Sequence, residues 1–301
     1  MLLNTTETLP EGEAVDAMPT LEAAGALLDG HKAALAAVDA AAGQIAEGAR
    51  AISAALRACK TLHYAAAGSS GLMALADACE IPGTFGVPAR LIRIHMAGGV
   101  PVDGHMPGDT EDDTKANQIV EDAIAAGDVV VVLTASGSTP YALDIATRAK
   151  GKGASVVGIA NNPNTPLLEL ADISICLATP PEVLAGSTRM GAGTAQKAAL
   201  NMMSTLVGIE LGHVYQGMMV NVVADNAKLI ARTSRMITDI AGVSMAEAKE
   251  ALARSGGHTK TAILVAAGCA PVEAVGLIER CDGHLGRCFK ILNKRNDVKV
   301  N

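Results

Sequence analysis

Aromatic side chains are nearly absent from this sequence: its 301 residues include three tyrosines, two phenylalanines and no tryptophan. Proteins that bind single-stranded nucleic acid stack bases on aromatic rings, and proteins that bind a phosphate backbone carry an excess of Lys and Arg. The formal net charge here is −7. Composition and charge therefore argue against nucleic acid as a partner.

Long apolar runs are also missing. A membrane-spanning helix needs ~20 consecutive apolar residues, and the alanine-rich stretch 33–57 is interrupted by Asp39, Glu47 and Arg50. The N-terminal segment has acidic residues where a signal peptide is basic, and it has no apolar core. We therefore expect no membrane partner and a cytoplasmic location. The six cysteines show neither CxxC nor metal-ligand spacing, so the sequence predicts reduced thiols and no metal site.

The middle of the chain alternates short runs rich in Val and Ile with helical segments. The strand-like runs are TLHYAAA, ARLIRIHM, DVVVVLTA, ASVVGIA and DISICLA, and the helices are expected at 71–80, 114–126, 139–150, 165–171 and 188–213. Unbroken apolar strands separated by helices indicate a parallel sheet covered on both faces. The expected fold class is α/β, with a doubly wound parallel sheet.

Both flanks of this region have helical periodicity. Two amphipathic helices are expected over residues 20–60. After residue 214 the pattern predicts one helix over 220–242, another that begins at a capping box of Ser244 and Glu247, and two more over 259–268 and 270–289, before a frayed tail. The predicted organisation is a loosely ordered N-terminus (1–18), an α/β domain with N-terminal helices (19–213) and a small C-terminal helical bundle (214–301).

Two loops rich in Ser and Gly follow predicted strands. They are AAAGSSG (65–71) and TASGSTPY (134–141). Ligands of open parallel sheets lie beyond the carboxyl ends of the strands, where glycine permits close approach and hydroxyls and helix N-termini bind oxygen anions. Neither loop matches GxGxxG or a P-loop, so a dinucleotide or ATP is disfavoured. The candidate ligand is a compact anion such as the phosphoryl group of a sugar phosphate. Its candidate binding residues are Gly68, Ser69, Ser70, Ser136, Gly137, Ser138 and Thr139, joined by Ser187 and Arg189 from a third segment, AGSTRMGAGTAQK (185–197).

These loops, and above all PEVLAGSTRMGAGTAQKAALNMMST, resemble the sugar isomerase (SIS) domain of the N-acetylmuramic acid 6-phosphate etherases. The likeness extends from about Leu21 to Leu292 and includes CEIPGTFGV, MMVNVVADNAKL and KTAIL. At three positions that are commonly cationic in the family, this chain has Leu72, Ser138 and Gly191.

The resemblance implies a lyase that releases D-lactate from N-acetylmuramic acid 6-phosphate during peptidoglycan recycling, without metal or other cofactor, as a homodimer. It also implies that two glutamates are catalytic, Glu80 as proton donor and Glu111 as base. Two carboxyl groups can divide these roles when their surroundings separate their pKa values.

Other interpretations of the same residues remain open. Ser and Gly after a strand are also ordinary turn and N-cap residues, and Glu111 lies in an acidic run, GDTEDDTK, that would suit a solvated loop. The alternative functions are an amino-sugar-phosphate isomerase, which shares proton abstraction at C2 but releases no lactate, and a noncatalytic sensor of sugar phosphates.

Overall fold

The computed structural model describes residues 5–9, 14–106, 109–115, 117–224 and 226–300, with side chains described as far as residue 293. The chain forms two compact units. The first comprises Met1–Cys79 and Pro88–Leu206, and the second comprises Glu80–Val87 and Val207–Asn301. The sequence-based boundary between the last two regions, at 213/214, lies seven residues after this division.

The elements of the described chain are α1 (Thr20–Ala40), α2 (Ala42–Arg57), β1 (Leu62–Ala66), α3 (Gly68–Phe85), β2 (Ile92–Met96), α4 (Asn117–Ala123), β3 (Val129–Thr134), α5 (Pro140–Gly151), β4 (Ser155–Ala160), α6 (Pro166–Leu170), β5 (Ile173–Cys176), α7 (Gly191–Glu210), β6 (Val214–Tyr215), β7 (Met218–Met219), α8 (Ala227–Ala241), α9 (Met245–Arg254), α10 (Thr259–Ala266), α11 (Pro271–Arg280) and α12 (Leu285–Val300). Short 3-10 turns lie at Thr5–Glu7, Ala89–Leu91 and Asp109–Asp112. Helices α3 and α7 contribute residues to both units.

The first unit is built on a five-stranded parallel sheet in the order β2-β1-β3-β4-β5. Strand β1 pairs with β2 on one side and with β3 on the other, so Leu62 lies beside both Ile92 and Val129. The chain therefore winds in one direction to reach β2 and in the other to reach β3. This reversal opens a crevice at the carboxyl ends of β1 and β3, which is where ligands of such sheets bind.

Alternate residues of each strand pack against helices on opposite faces. Val156 of β4 lies in a core cluster with Ile145 of α5, whereas Val157 approaches Gly48 of α2. Every residue of β1 and β3 is buried. A strand buried on both faces has no reason to alternate polar and apolar residues, which explains the Val-rich runs. The predicted doubly wound α/β fold and its five strands are confirmed.

The second unit contains a helical cluster and the two-stranded hairpin β6–β7. The predicted capping box is confirmed: Ser244 N donates to Glu247 Oε2 over 2.8 Å, and Glu247 N donates to Ser244 Oγ over 3.3 Å.

Two expectations about helices of this unit were wrong. The helix predicted over 220–242 begins only at Ala227 because Asn226, in an extended conformation, caps it by accepting from Leu229 N.

The single helix predicted over 270–289 is two helices, α11 and α12. Asp282 (φ 51°) and Gly283 (φ 80°) both take left-handed conformations, which end α11. The tail predicted to fray from residue 294 continues as the end of α12, to Val300.

Among the helices of the described ranges, none alone is long and apolar enough to cross a membrane. Thr259–Ala266 and Pro271–Arg280 meet that test of length and composition only as a pair, which is bent by 116°.

Candidate active site

A pocket of about 150 Å³ lies at the carboxyl ends of β1 and β3, where the sheet topology reverses. Its walls are formed by Glu7, Ala67, Ser69, Ser70, Glu111, Leu133, Thr134, Ala135, Ser136, Thr139 and Thr188, all of the first unit. Sites for whole metabolites typically measure roughly 300–1,000 Å³. The size of this pocket therefore suits a headgroup rather than a complete sugar.

The loop after β1 leads directly into α3. Gly68 adopts φ +53°, and a Cβ at this position would lie 2.7 Å from Glu111 Oε1. Glycine therefore allows the Glu111 carboxylate to lie against the start of the helix. Ser69 and Ser70 occupy the first turn of α3. The next residue, Gly71, donates its backbone N–H to Ala67 O.

The loop after β3 brings three hydroxyl groups together. Thr134 Oγ1 lies 2.6 Å from Thr139 Oγ1 and 3.2 Å from Ser136 Oγ. The turn depends on Gly137, whose φ is +73° and where a Cβ would lie 2.3 Å from Thr165. Thr139 precedes α5 as its N-cap residue, with no side-chain capping bond. Its hydroxyl therefore remains with the cluster at the pocket.

Uncharged donors and two carboxylates line this pocket. Helices α3 and α5 both begin here, so their N-terminal partial positive charges face one small volume. Neither Lys nor Arg occurs among the lining residues of the described chain. An anion in this pocket would be bound by hydroxyl groups, backbone N–H groups and helix dipoles.

Glu111 has the electrostatic surroundings of a proton acceptor. Burial raises the pKa of its carboxyl group, and the neighbouring Asp112 charge raises the same pKa further. Within the described chain, the Glu111 carboxylate makes neither a hydrogen bond nor an ion pair. A carboxylate with a raised pKa and free lone pairs is a reasonable general base.

The structure brings together some of the predicted residues and leaves others outside. Glu111 and the hydroxyl groups of Ser69, Ser70, Ser136 and Thr139 line the pocket, whereas Gly68 and Gly137 shape its loops. Ser138 is exposed and donates to Ser136 Oγ, Ser187 is half-buried, and Arg189 is exposed. None of these three lines the pocket.

Glu80 belongs to the second unit and is exposed on α3. It is not among the residues that line the pocket of the first unit. Its expected role as proton donor stays a prediction.

Sequence reasoning missed three polar lining residues, Glu7, Thr134 and Thr188. Thr134 ends a predicted strand and Thr188 follows a predicted ligand residue, so proximity along the chain was an available signal for both. Glu7 had no such signal because it lies in the segment predicted to be loosely ordered.

The N-terminal segment is anchored by Thr6, which is fully buried. Gly186 N donates to Thr6 O over 3.0 Å, and Asn162 Nδ2 donates to Thr6 Oγ1 over 3.2 Å. Residues 5–9 therefore differ from the loose order predicted for 1–18, whereas residues 1–4 and 10–13 lie outside the described residues.

A buried carboxylate of α3 bonds this helix to its neighbours. Asp77, 3% exposed, accepts hydrogen bonds from Tyr64 Oη (2.8 Å), Asn201 Nδ2 (2.9 Å) and Ser204 Oγ (2.9 Å). Burial and the Asp77 carboxylate raise the pKa of Tyr64 well above its ordinary value. The phenol therefore stays protonated and keeps donating. These bonds connect β1, α3 and α7 within the first unit.

Comparisons with known proteins agree with this architecture. The SIS domain family matches residues 106–206. N-acetylmuramic acid 6-phosphate etherase of Edwardsiella ictaluri is 42% identical over 245 residues, covering 80% of this chain and 82% of that protein. The enzyme of the same name from Deinococcus radiodurans is 37% identical over 283 residues, covering 93% of each.

Among solved structures, a phosphoheptose isomerase from Francisella tularensis matches with a TM-score of 0.46 and 17% identity, over 64% of this chain and 98% of that one. The family of this chain follows from the sequence identity to the etherases, which extends over most of both chains, and from the SIS match. The chain belongs to the N-acetylmuramic acid 6-phosphate etherase family of SIS-domain proteins.

Proposed function

We propose that this protein is a carbon–oxygen lyase that cleaves the D-lactyl ether of N-acetylmuramic acid 6-phosphate to N-acetylglucosamine 6-phosphate and D-lactate. Family membership supports the substrate class, since relatives with this name match most of both chains. The observation that carries the proposal is the unpaired Glu111 carboxylate, with its raised pKa, in the wall of a hydroxyl-lined pocket.

The phosphoryl group is the part of the substrate that suits this pocket. The pocket of about 150 Å³ lies at the start of two helices and is lined by six hydroxyl-bearing residues, Ser69, Ser70, Thr134, Ser136, Thr139 and Thr188. Hydroxyl and backbone N–H donors bind phosphoryl oxygens, and helix N-termini favour their negative charge. The rest of the sugar would extend beyond the pocket, past Glu111.

The proposed chemistry is elimination followed by hydration. In the open-chain sugar, the C1 aldehyde acidifies the C2 proton, and Glu111 removes it. The C3–O bond then breaks as the departing lactate oxygen takes a proton from an acid. Water adds at C3 of the unsaturated product and a proton returns to C2. A positioned acid or base typically contributes ~10²- to 10⁴-fold to such a step.

We assign the acid to Glu80 on the resemblance to the family. The family is usually dimeric with sites near the subunit contact, so we also propose a homodimer. Sedimentation of the purified protein tests the dimer, and fractionation of cells tests the proposed cytoplasmic location. A role in peptidoglycan recycling follows from the substrate.

Incubation with N-acetylmuramic acid 6-phosphate in ¹⁸O-labelled water tests the reaction. We expect D-lactate, and ¹⁸O at C3 of the sugar product because the oxygen added at C3 comes from water. A ketose product without lactate would instead identify an isomerase. Binding of the phosphosugar without any turnover would identify a sensor.

Carboxamide variants test the two glutamates. Glu111→Gln and Glu80→Gln should each lower kcat by at least ~100-fold, with circular dichroism spectra unchanged. The exposed Glu169 of α6 provides the matched control, because Glu169→Gln removes the same charge away from the pocket. Full activity in Glu111→Gln would refute its role as base. Full activity in Glu80→Gln would refute only the assignment of the acid.

A further inference from the structure

The N-terminal 3-10 turn, Thr5–Glu7, supplies one wall of the pocket at β1 and β3 through its last residue, Glu7. The central residue of the turn, Thr6, is fully buried. Gly186 N donates to Thr6 O over 3.0 Å, and Asn162 Nδ2 donates to Thr6 Oγ1 over 3.2 Å. Bonds from two separate loops therefore fix the place of the turn and of Glu7.

The same two loops also contribute to the pocket wall. Asn162, 2% exposed, donates through Nδ2 to Ala135 O over 2.9 Å as well, and Ala135 lines the pocket. Gly186 belongs to the segment that continues to Thr188, another lining residue, and Thr188 N donates to Gly186 O over 2.9 Å. The bonds of Thr6 therefore tie the N-terminal turn to two neighbouring parts of the wall.

The Glu7 carboxylate is located by its distance to Gly186. Its Oε2 lies 3.2 Å from the place that a Cβ would take at Gly186, beside the segment that leads to Thr188. The Glu7 side chain is exposed, and it forms neither a hydrogen bond nor an ion pair with any other described residue. Its oxygen lone pairs are therefore available at the rim of the pocket.

Glu7 differs in chemistry from the hydroxyl groups around it. The hydroxyl and backbone N–H groups of this pocket can donate hydrogen bonds, which phosphoryl oxygens accept, whereas an ionised carboxylate can only accept them. An unpaired carboxylate also repels a phosphoryl dianion. It contributes to binding only when the ligand brings donors of its own. The hydroxyl groups of a sugar are such donors.

We propose that Glu7 determines specificity by accepting a hydrogen bond from a hydroxyl group of the sugar, and that Thr6 is the positioning residue that holds it there. Glu111 remains the base, and Glu7 takes no part in proton transfer. This proposal rests on the proposed phosphosugar site, but it concerns binding rather than release of lactate. It is therefore tested with ligands that cannot react.

Calorimetry with two unreactive phosphate monoesters tests the acceptor. Glucitol 6-phosphate is an open-chain polyol without an aldehyde, whereas butyl phosphate carries the same headgroup on a bare hydrocarbon. The wild type should prefer glucitol 6-phosphate. In Glu7→Gln this preference should fall by at least about fivefold, because a neutral amide oxygen accepts more weakly than a carboxylate.

Butyl phosphate should bind to Glu7→Gln no more weakly than to the wild type, because the variant has lost a negative charge. The matched control is Glu22→Gln, which changes an exposed glutamate of α1 outside the pocket wall. This control should keep the preference of the wild type.

Thr6 variants test the positioning role. Thr6→Val keeps the shape of the side chain and removes the hydroxyl that accepts from Asn162, so the preference for glucitol 6-phosphate should fall by about threefold or more. Thr6→Ser retains a hydroxyl and should restore the preference, whereas a merely structural role would weaken both esters alike. Thr147→Val removes an exposed hydroxyl from α5 and is the control. If Thr6→Val does not fold, the Glu7 arm stands independently.

The possible outcomes separate this proposal from the lyase reaction. An unchanged preference in Glu7→Gln, or a wild type that binds the two esters alike, would overturn the specificity role. The wild-type preference in a folded Thr6→Val would overturn the positioning role. Failure of both esters to bind would overturn the phosphosugar site together with this proposal. The expected binding results without any release of D-lactate from N-acetylmuramic acid 6-phosphate would refute only the lyase.

Discussion

Replacing Lys260 by Met should make the second unit more stable at neutral pH. Met keeps the length of the side chain and removes the ammonium group. Burial is the largest influence on this lysine and lowers its pKa from 10.5 to about 8, a fall that Cys288 opposes. Each pKa unit corresponds to about 1.4 kcal/mol, so the fall corresponds to roughly 3 kcal/mol that the charged form costs the folded state.

The sign of the pH dependence follows from proton uptake. Below pH 8 the ammonium is charged in both states, and the folded state bears the whole cost. Between pH 8 and 10.5 the folded protein loses this proton while the unfolded chain retains it. The free energy of unfolding of the wild type should therefore rise with pH relative to that of Lys260→Met. The advantage of the variant, up to about 3 kcal/mol at pH 7, should disappear near pH 10.5.

Urea unfolding followed by circular dichroism measures this difference at a series of pH values. Hydrogen exchange of α10 peptides shows whether the change lies in the second unit, and Lys249→Met controls for loss of an exposed lysine. A variant less stable than the wild type at pH 7 would refute the reasoning, because it would mean that the ammonium is paired.

Three further predictions concern the first unit. Gly137→Ala should lower the free energy of unfolding by at least ~2 kcal/mol, through both the left-handed backbone and the clash with the next loop; Gly151→Ala, with nothing within 4 Å of its Cβ, should be neutral or slightly stabilising. Asp77→Asn should lower the melting temperature, with a loss of roughly 2–4 kcal/mol in urea titrations, whereas Asp39→Asn on the exposed face of α1 should change little. Glu7→Gln should tighten binding of inorganic phosphate a few-fold by calorimetry because it removes one of the two carboxylates that line the pocket; weaker binding would mean that Glu7 positions a donor.

Local sequence patterns were enough to predict much of the fold. The short apolar runs predicted every strand of the sheet. The central strands β1 and β3 are buried along their whole length, which explains why their runs are unbroken by polar alternation. The capping box at Ser244 located the start of α9 for a similar local reason. What the pattern did not contain was the interruption after Arg280, since Asp282 takes a left-handed conformation that aspartate adopts only occasionally.

The residues of the candidate site likewise divide into those that local sequence predicts and those that it does not. Serines that follow strands were found from sequence because the strand ends locate them. Glu7 was not found, since its place depends on the bond between Gly186 and Thr6, about 180 residues apart along the chain. No periodicity or composition encodes a contact of that range.

The starts of three helices explain why the phosphosugar pocket lies at β1 and β3. The N-terminus of α7 already binds a carboxylate of this chain. Glu182, 3% exposed, accepts hydrogen bonds from Gly191 N and Ala192 N over 2.8 Å each. A Cβ at Gly191 would lie 2.9 Å from the same carboxylate, so a longer side chain there would displace it. Helices α3 and α5 begin instead beside hydroxyl groups, and no carboxylate accepts a bond from their first N–H groups within the described chain. Because the first N–H groups of α7 already bind a carboxylate, an incoming dianion finds open N–H groups at the starts of α3 and α5, which meet where the strand order reverses.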